Sequence, residues 1–208
     1  MHQDGYIYRT MVWITRLAYL NMLWIIFSIV GFIIFGLFPA TTAMYAVERK
    51  WIRGNTSFAI LPYFWSVYKK NFKDSNFIGL PFLLICSLIW INLQITEYMS
   101  PFIGNVLLFF LFSLCFLLII VFLYVFPTFT HYDVRLIETI IFSFIIALSA
   151  PLQTILIIVN VLGFFLITLV FPGVFFLFAG SATSLITMWF AYRAMTRIET
   201  QREFVVRQ

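Results

Sequence analysis

The chain has 208 residues, of which 63% are hydrophobic and only 10% are charged. Soluble domains average about 25% charged residues, so this composition excludes an ordinary soluble enzyme and is typical of a protein that lies in a lipid bilayer. The formal net charge of +5 does not indicate a nucleic-acid partner, because the basic residues cluster beside apolar segments, as they do on the cytoplasmic side of membrane proteins.

The first apolar segment, Leu17–Phe38, is predicted to span the membrane and to end at Pro39. It is longer than the apolar region of a signal peptide, which has about 7–15 residues, so we expect it to stay as a span. The connection that follows, residues 39–75, carries six basic residues against only Glu48 and Asp74. This excess of positive charge predicts a cytoplasmic location.

Two amphipathic helices are predicted within this connection. Apolar residues recur at helical spacing from Ala40 to Trp51, charged residues fill the opposite face, and Gly54 is a typical helix stop. The segment Leu61–Lys73 places aromatic residues along one stripe with lysines beside it. Because Trp and Tyr suit the headgroup region and lysine stems reach toward phosphates, both helices are expected to lie on the cytoplasmic membrane surface.

Three interpretations of this surface are open: membrane anchoring that sets the topology, a docking surface for another protein, and a pocket for a lipid headgroup. The side chains expected to form it are Pro39, Thr41, Thr42, Arg49, Lys50, Trp51, Arg53, Trp65, Tyr68, Lys69 and Lys70.

The same region resembles a known family. The sequence FGLFPATTAM at residues 35–44, followed by RKWIRG at 49–54 and FWSVYKKNF at 64–72, resembles the signature of the YesL (DUF624) family of bacterial membrane proteins. Ala150-Pro151-Leu152 is similar to a break in that family. The resemblance implies a protein encoded beside oligosaccharide ABC importers and glycan-degrading enzymes in Gram-positive bacteria, and hence a link to carbohydrate uptake. It implies no catalytic residue.

Four further spans are predicted downstream. Phe77–Gln94 and Phe102–Phe126 are joined by a loop that contains Glu97 and no basic residue. After Glu138 the chain runs 54 residues without a charged residue or a histidine, which is too long for one crossing of a hydrocarbon core about 30 Å thick. Two spans are expected here, Leu152–Val170 and Val174–Tyr192.

Proline breaks the start of this long run. Pro151 lacks a backbone donor and clashes with the preceding turn, so Leu136–Ala150 is predicted to be a separate helix, either tilted into the membrane or lying at its surface. The second break, at Phe171-Pro172-Gly173, supplies the turn between the last two spans.

The predicted fold class is therefore an all-α membrane protein, a single integral domain over residues 1–208. It has about five transmembrane helices, two amphipathic helices on the cytoplasmic face and a proline-broken helix before the fourth span. We expect a bacterial plasma-membrane location with a cytoplasmic C-terminus, because the tail is basic. Five spans put the N-terminus outside; an inside N-terminus requires a sixth crossing or a re-entrant first segment.

Residues able to carry chemistry are scarce. The interiors of the predicted spans hold no ionisable side chain, and the sequence has no HExxH, GxSxG or Walker motif and no metal-spaced Cys/His set. Cys86 and Cys115 lie among apolar residues and are expected to pack as small hydrophobes. We therefore predict a protein that is not an enzyme and uses no metal or cofactor.

The leading hypothesis is a non-catalytic accessory or regulatory partner of a carbohydrate ABC importer, in contact with the lipid bilayer and with the importer's permease subunits. The alternative is a small transporter or channel for a neutral solute, which needs a polar pathway. A third option is a lipid-modifying enzyme that uses Asp133 and Glu138 at the interface. The amides that would have to converge for the pathway are Asn21, Asn105, Gln153 and Asn160.

Overall fold

The computed structural model describes residues 5–132 and 135–206, whose secondary structure is helical with no strand. The helices are α1 Tyr6–Val30, α2 Ile34–Ile52, α3 Ile60–Lys70, α4 Phe72–Ile95, a 3₁₀ turn Thr96–Tyr98, α5 Pro101–His131, α6 Leu136–Ser149, α7 Pro151–Val170, the single turn α8 Pro172–Val174, a π-helical segment Phe175–Ala179, and α9 Gly180–Val206.

Within the described residues, five helices are long and apolar enough to cross a membrane, which confirms the all-α membrane fold. Their outer faces expose large apolar side chains, as a lipid-facing surface does; Phe109, for example, is 77% exposed. The helix break at Pro151 is also confirmed, because α6 ends at Ser149 and α7 begins at Pro151. The five segments are Tyr8–Val30, Phe72–Ile95, Pro101–His131, Pro151–Val170 and Pro172–Thr200.

The predicted first span, Leu17–Phe38, is corrected by the structure. Helix α1 ends at Val30, and the chain reverses at Phe32 and Ile33, whose φ angles are +59° and +60°. Positive φ is uncommon outside glycine and is a genuine outlier for a β-branched residue. The sequence could not reveal this reversal, because the apolar run continues through it without a polar residue or a proline.

Helix α2 then returns alongside α1 as the second arm of a tight hairpin. The Trp13 and Trp51 rings, near the two open ends, are 5.5 Å apart. At the closed end, Gly31 and Gly36 let the two backbones approach so closely that a Cβ on either would overlap the other. Small residues at such crossings are typical of helices that pack within membranes.

The structure also corrects the surface location predicted for the first amphipathic helix. Helix α2 is the centre of the bundle and packs against α1, α3, α4, α5 and α9. Its Met44, Val47 and Trp51 join one apolar cluster, while Phe38 and Tyr45 join another on the opposite side. Both faces are therefore covered by protein, which is how a helix with charged residues can sit among lipid-facing helices.

Pro39 lies inside α2, although the sequence pattern had placed it at a helix start. A proline in a helix frees the carbonyl four residues earlier, which here belongs to Phe35. The Nδ2 atom of Asn76, on α4, donates to that carbonyl at 2.9 Å and to the Phe72 carbonyl at 2.7 Å. Asn76 thus compensates for the proline and joins α4 to the central helix.

Four of the remaining helices form two more hairpins in the same direction as the first. Helices α4 and α5 meet through Phe82 and Phe122, and α7 and α9 meet where the Asn160 amide donates to the Thr183 carbonyl. The ends of α2, α5 and α9 lie together, because Arg49 donates to the His131 carbonyl and His131 pairs with Glu199. We call this the basic end of the bundle.

The opposite end is free of positive charge. Its three connections, Gly31–Ile33, residues 96–100 and Phe171, contain no lysine or arginine. Since α2 adds a return passage, the start of α1 and the second half of α9 lie at the same, basic end. This differs from the five-span prediction, in which the two termini lie on opposite sides.

Candidate functional site

A polar cavity of about 420 Å³ opens at the basic end between α2, α3 and the end of α5. Three cationic or potentially cationic side chains line it, one from each helix: Arg49, Lys70 and His131. We call it the basic cavity. The other lining residues are Thr42, Ala46, Tyr63, Ser66, Val67, Asn71, Phe129, Thr130 and Tyr132.

Arg49 connects this cavity to the helix ends around it. Its Nη1 atom donates to the His131 carbonyl at 3.1 Å, which satisfies one of the carbonyls left open at the end of α5. The His131 Nε2 atom lies 3.3 Å from a Glu199 carboxylate oxygen on α9. The Arg49 Nε atom and the His131 Nδ1 atom are buried without a hydrogen-bond partner, so both residues retain unused polar capacity.

Positive charges at this end lie over aromatic rings more often than beside acids. Among the side chains that the structure describes, the one contact between a basic and an acidic group is that of His131 with Glu199. Lys50 Nζ lies 3.5 Å from the centre of the Tyr63 ring, and the Arg193 guanidinium lies 3.6 Å from that of Trp189. Such contacts stabilise a cation without neutralising it, so the end keeps a strong positive field.

Helix α3 is confirmed as an amphipathic helix. Phe64 and Tyr68 are buried against Phe27 of α1, and the Tyr68 hydroxyl donates to the Phe27 carbonyl at 3.1 Å. Burial raises the pKa of Tyr68 above its usual value, so the hydroxyl keeps the proton that it donates. Leu61 and Trp65 are 43% and 39% exposed on the outer face.

A second polar group lies deeper in the bundle. The Glu48 side chain is fully buried, and its Oε1 atom accepts a hydrogen bond of 2.5 Å from the Ser184 hydroxyl of α9. Its Oε2 atom has no partner. A buried acid with a single hydrogen bond is costly, and such residues within membrane proteins mark functional positions by default.

Asn21 closes the polar contact between α1 and α9. A π-helical segment shifts the hydrogen-bond register and leaves backbone groups open where the α-helix resumes. The Asn21 amide donates to the Phe176 carbonyl at 2.7 Å and accepts from the Gly180 and Ser181 amides at 3.0 and 3.1 Å. One side chain therefore satisfies three backbone groups at this junction.

We expect Asn21→Ala to lower the free energy of unfolding by about 2–3 kcal/mol, because the Gly180 and Ser181 amides lose the oxygen that accepts from both. Asn105→Ala is the matched control, since Asn105 is exposed on α5. Thermal unfolding in detergent measures the difference. Equal midpoints for the two variants would contradict the role of Asn21.

The four amides considered for a solute pathway do not converge. Asn105 is exposed, Gln153 is half-buried, and Asn21 is fully buried in its contact with α9. Asn160 donates to the Thr183 carbonyl at 3.2 Å and reaches the Thr187 hydroxyl at 3.5 Å. Two of the four thus join helices to α9, and none of the four lines the basic cavity.

The eleven predicted surface residues separate into inner and outer groups. The inner group serves packing: the Trp24 indole donates to the Thr41 hydroxyl at 3.0 Å, and Thr42 shares a 2.8 Å hydrogen bond with Ser75. The inner residues are Pro39, Thr41, Thr42, Trp51 and Tyr68; those with outer or partly exposed side chains are Lys50, Arg53, Trp65, Lys69 and Lys70; Arg49 stands between, at the cavity.

The structure does not show Asp133 and Glu138, the acids considered for lipid chemistry, as a pair. Asp133 lies outside the described residues, and the Glu138 carboxylate accepts from the backbone amide of Arg135 at 3.3 Å. That contact caps the start of α6, an ordinary role for an acid in the first turn of a helix.

Comparison with known proteins identifies the family. Residues 17–93 match the family described as "Protein of unknown function, DUF624". The chain is 36% identical to the uncharacterized protein YesL of Bacillus subtilis over 192 residues, which cover 92% of this chain and 90% of YesL. The chain belongs to the DUF624 family. No solved structure matches it.

Two further Bacillus subtilis proteins are similar to this DUF624 chain along most of its length. YteU is 33% identical over 96% of the chain and 90% of its own length. YesV is 31% identical over 90% of both. The family match at residues 17–93 takes in most of α1 and all of α2, α3 and most of α4, and so includes two walls of the basic cavity.

Sequence reasoning missed Glu48 as an internal residue of this DUF624 protein. It assigned Glu48 to the polar face of a surface helix, together with the neighbouring cations. The signal that could have placed α2 inside is its content of small residues, since Gly36, Ala40, Ala43 and Ala46 suit close packing against other helices.

Proposed function

We propose that this DUF624 protein is a non-catalytic accessory or regulatory partner of a carbohydrate ABC import system. The observation that carries the proposal is the outer face of α3, where exposed Trp65 and Leu61 lie beside the exposed side chains of Lys69 and Lys70. Exposed aromatic side chains are enriched at protein interfaces, and lysines around them can steer a partner of opposite charge. The link to carbohydrate import rests on the family resemblance.

The same proposal includes the orientation of the protein in the plasma membrane. Lysine and arginine are absent from the three connections opposite the basic end, and the positive-inside rule places the charged side in the cytoplasm. We therefore propose that both termini, α3 and the basic cavity are cytoplasmic.

Reporter fusions test this orientation. We expect a fluorescent protein fused at Tyr6 or at Gln208 to be active, since that reporter matures in the cytoplasm. Alkaline phosphatase inserted at Gly173, in the turn after α7, should be active because it requires the outside. Activity of the phosphatase at Tyr6 would restore the five-span topology and overturn the proposal.

In-cell photo-crosslinking tests the docking role. A photo-reactive residue replacing Trp65 should capture a permease subunit of a carbohydrate importer, identified by mass spectrometry. The matched control is the same residue at Phe109, which is exposed on the apolar surface of α5, and should capture no importer subunit. Charge reversal of Lys69 and Lys70 should reduce the capture at position 65 at least about tenfold, because docking would lose its electrostatic complementarity.

A defined negative result would contradict the accessory role. If the protein is abundant and intact, yet neither crosslinking at position 65 nor co-purification in mild detergent recovers an importer subunit, the accessory role is wrong.

Glu48 favours a second candidate, a small transporter. Its carboxyl is bonded to Ser184, and one turn further along α9 the Thr187 hydroxyl meets Asn160 of α7. A protonatable group beside hydroxyls in a helix bundle is the kind of site that couples transport to protons. Uptake of a neutral solute into proteoliposomes would favour transport over the accessory role if Glu48→Gln abolished that uptake and left the fold intact.

A further inference from the structure

The basic cavity concentrates positive charge that the protein does not neutralise. Arg49, Lys70 and His131 reach it from three different helices. Glu199 bonds His131, and Glu48 is buried in its contact with Ser184. Among the side chains that the structure describes, no carboxylate lies within ion-pair distance of Arg49 or Lys70.

Arg49 and His131 also have hydrogen-bonding groups that are not used within the protein. A guanidinium carries five N–H donors. Arg49 uses Nη1 for the His131 carbonyl, and its guanidinium also interacts with the Tyr63 side chain. The buried Nε atom of Arg49 and Nδ1 atom of His131 lack partners. Lys70 is exposed at the rim. A partly buried arginine without a counter-ion is unfavourable unless an anion completes the site.

The geometry points to a phosphate-bearing ligand. Arginine offers a planar pair of donors that matches phosphate oxygens, and lysine adds a mobile point charge. The volume of about 420 Å³ lies within the range of small-ligand sites. The aromatic residues and lysines around this end are those typical of headgroup depth.

We propose that the basic cavity binds a phosphate group, carried either by an anionic phospholipid or by a phosphorylated small molecule. Arg49 and Lys70 bind its oxygens, and His131 fixes the guanidinium through its backbone carbonyl. The inference is independent of the accessory role, because it concerns a ligand and not a protein partner.

Binding to the full chain distinguishes the two sources. The protein is placed in nanodiscs of phosphatidylcholine, with or without phosphatidylglycerol, and inorganic phosphate or glycerol 3-phosphate is titrated while thermal unfolding is followed. A lipid ligand predicts stabilisation by phosphatidylglycerol and its retention in native mass spectra. A soluble ligand predicts stabilisation by glycerol 3-phosphate in pure phosphatidylcholine.

Two variants and a matched control locate the site. Lys70→Gln should weaken binding about tenfold and Arg49→Gln about a hundredfold, since each removes a charge-assisted contact. Lys69→Gln should leave binding within about twofold of the natural protein, because Lys69 lies outside the cavity and over the Trp65 ring. Lys70 is exposed, so its variant keeps the test valid even if Arg49→Gln fails to fold.

Two results would overturn the proposal. One is the absence of binding by phosphatidylglycerol, phosphate and glycerol 3-phosphate alike. The other is equal weakening by Lys69→Gln and Lys70→Gln, which would assign the effect to the general positive field of this end and not to the cavity.

Discussion

Replacing Glu48 with lysine is expected to abolish the folded protein. The side chain is fully buried between α2 and α9, where Ser184 donates to it. Lysine has no acceptor for that hydroxyl and brings a cation with no partner into the core, at a cost of about 3–5 kcal/mol or more. That is a large fraction of the stability of a protein domain.

Glutamine separates the charge of Glu48 from its shape. It has nearly the same volume, and its amide oxygen can accept from Ser184, so Glu48→Gln should stay within about 1 kcal/mol of the natural protein. Recovery of monodisperse protein in detergent and its thermal midpoint measure both variants. Asp74→Lys is the matched control for charge reversal, because Asp74 is exposed in the first turn of α4.

The outcome also bears on function. If Glu48→Gln unfolds the protein as Glu48→Lys does, the carboxyl group itself is required for folding, and the shape of the side chain and an acceptor for Ser184 are not sufficient. If it folds normally but importer capture at Trp65 is lost, Glu48 acts on the docking face through α2, which connects the two sites.

Most helices were predictable because proline and glycine mark their ends. The break at Pro151 and the turn at Pro172 divide the long uncharged run into α6, α7 and the last helices, as expected. Amphipathic α3 was predictable for a similar reason, since its aromatic stripe packs on one side and its lysines face outward. In each case a local pattern decides the local structure.

The central helix was not predictable by the same rules. A segment with Glu48, Arg49 and Lys50 in succession has the pattern of a solvated face, yet Glu48 is fully buried and Arg49 and Lys50 are half-buried. Hydropathy predicts the free-energy cost of exposing polar groups to lipid. A helix enclosed by other helices is not exposed to lipid, so hydropathy does not predict its position. The basic cavity depends on that enclosure, because Arg49 lines the same cavity as Lys70 and His131 only when α2 lies between α3 and α5.

Gly36 lies beside the turn that brings α2 inside the bundle. Gly36→Ala should destabilise the protein by about 3 kcal/mol, because overpacking forces the backbone to shift. An added Cβ would lie 2.8 Å from the Gly31 Cα atom and closer still to the Ser28 carbonyl oxygen, both backbone atoms of the facing arm. The hairpin must open to admit it.

Gly163→Ala is the matched control, since an added Cβ there meets nothing within 4 Å and alanine favours the helix by up to about 1 kcal/mol. The midpoint temperature of thermal unfolding should therefore fall for Gly36→Ala and stay unchanged or rise for Gly163→Ala. A cysteine pair at Trp13 and Trp51, with both natural cysteines replaced, should be joined by a short crosslinker, because the two rings are 5.5 Å apart. If residues 13 and 51 lay on opposite sides of the membrane, the crosslink could not form. Its absence in folded protein would therefore contradict the hairpin, and with it the enclosed position of Arg49.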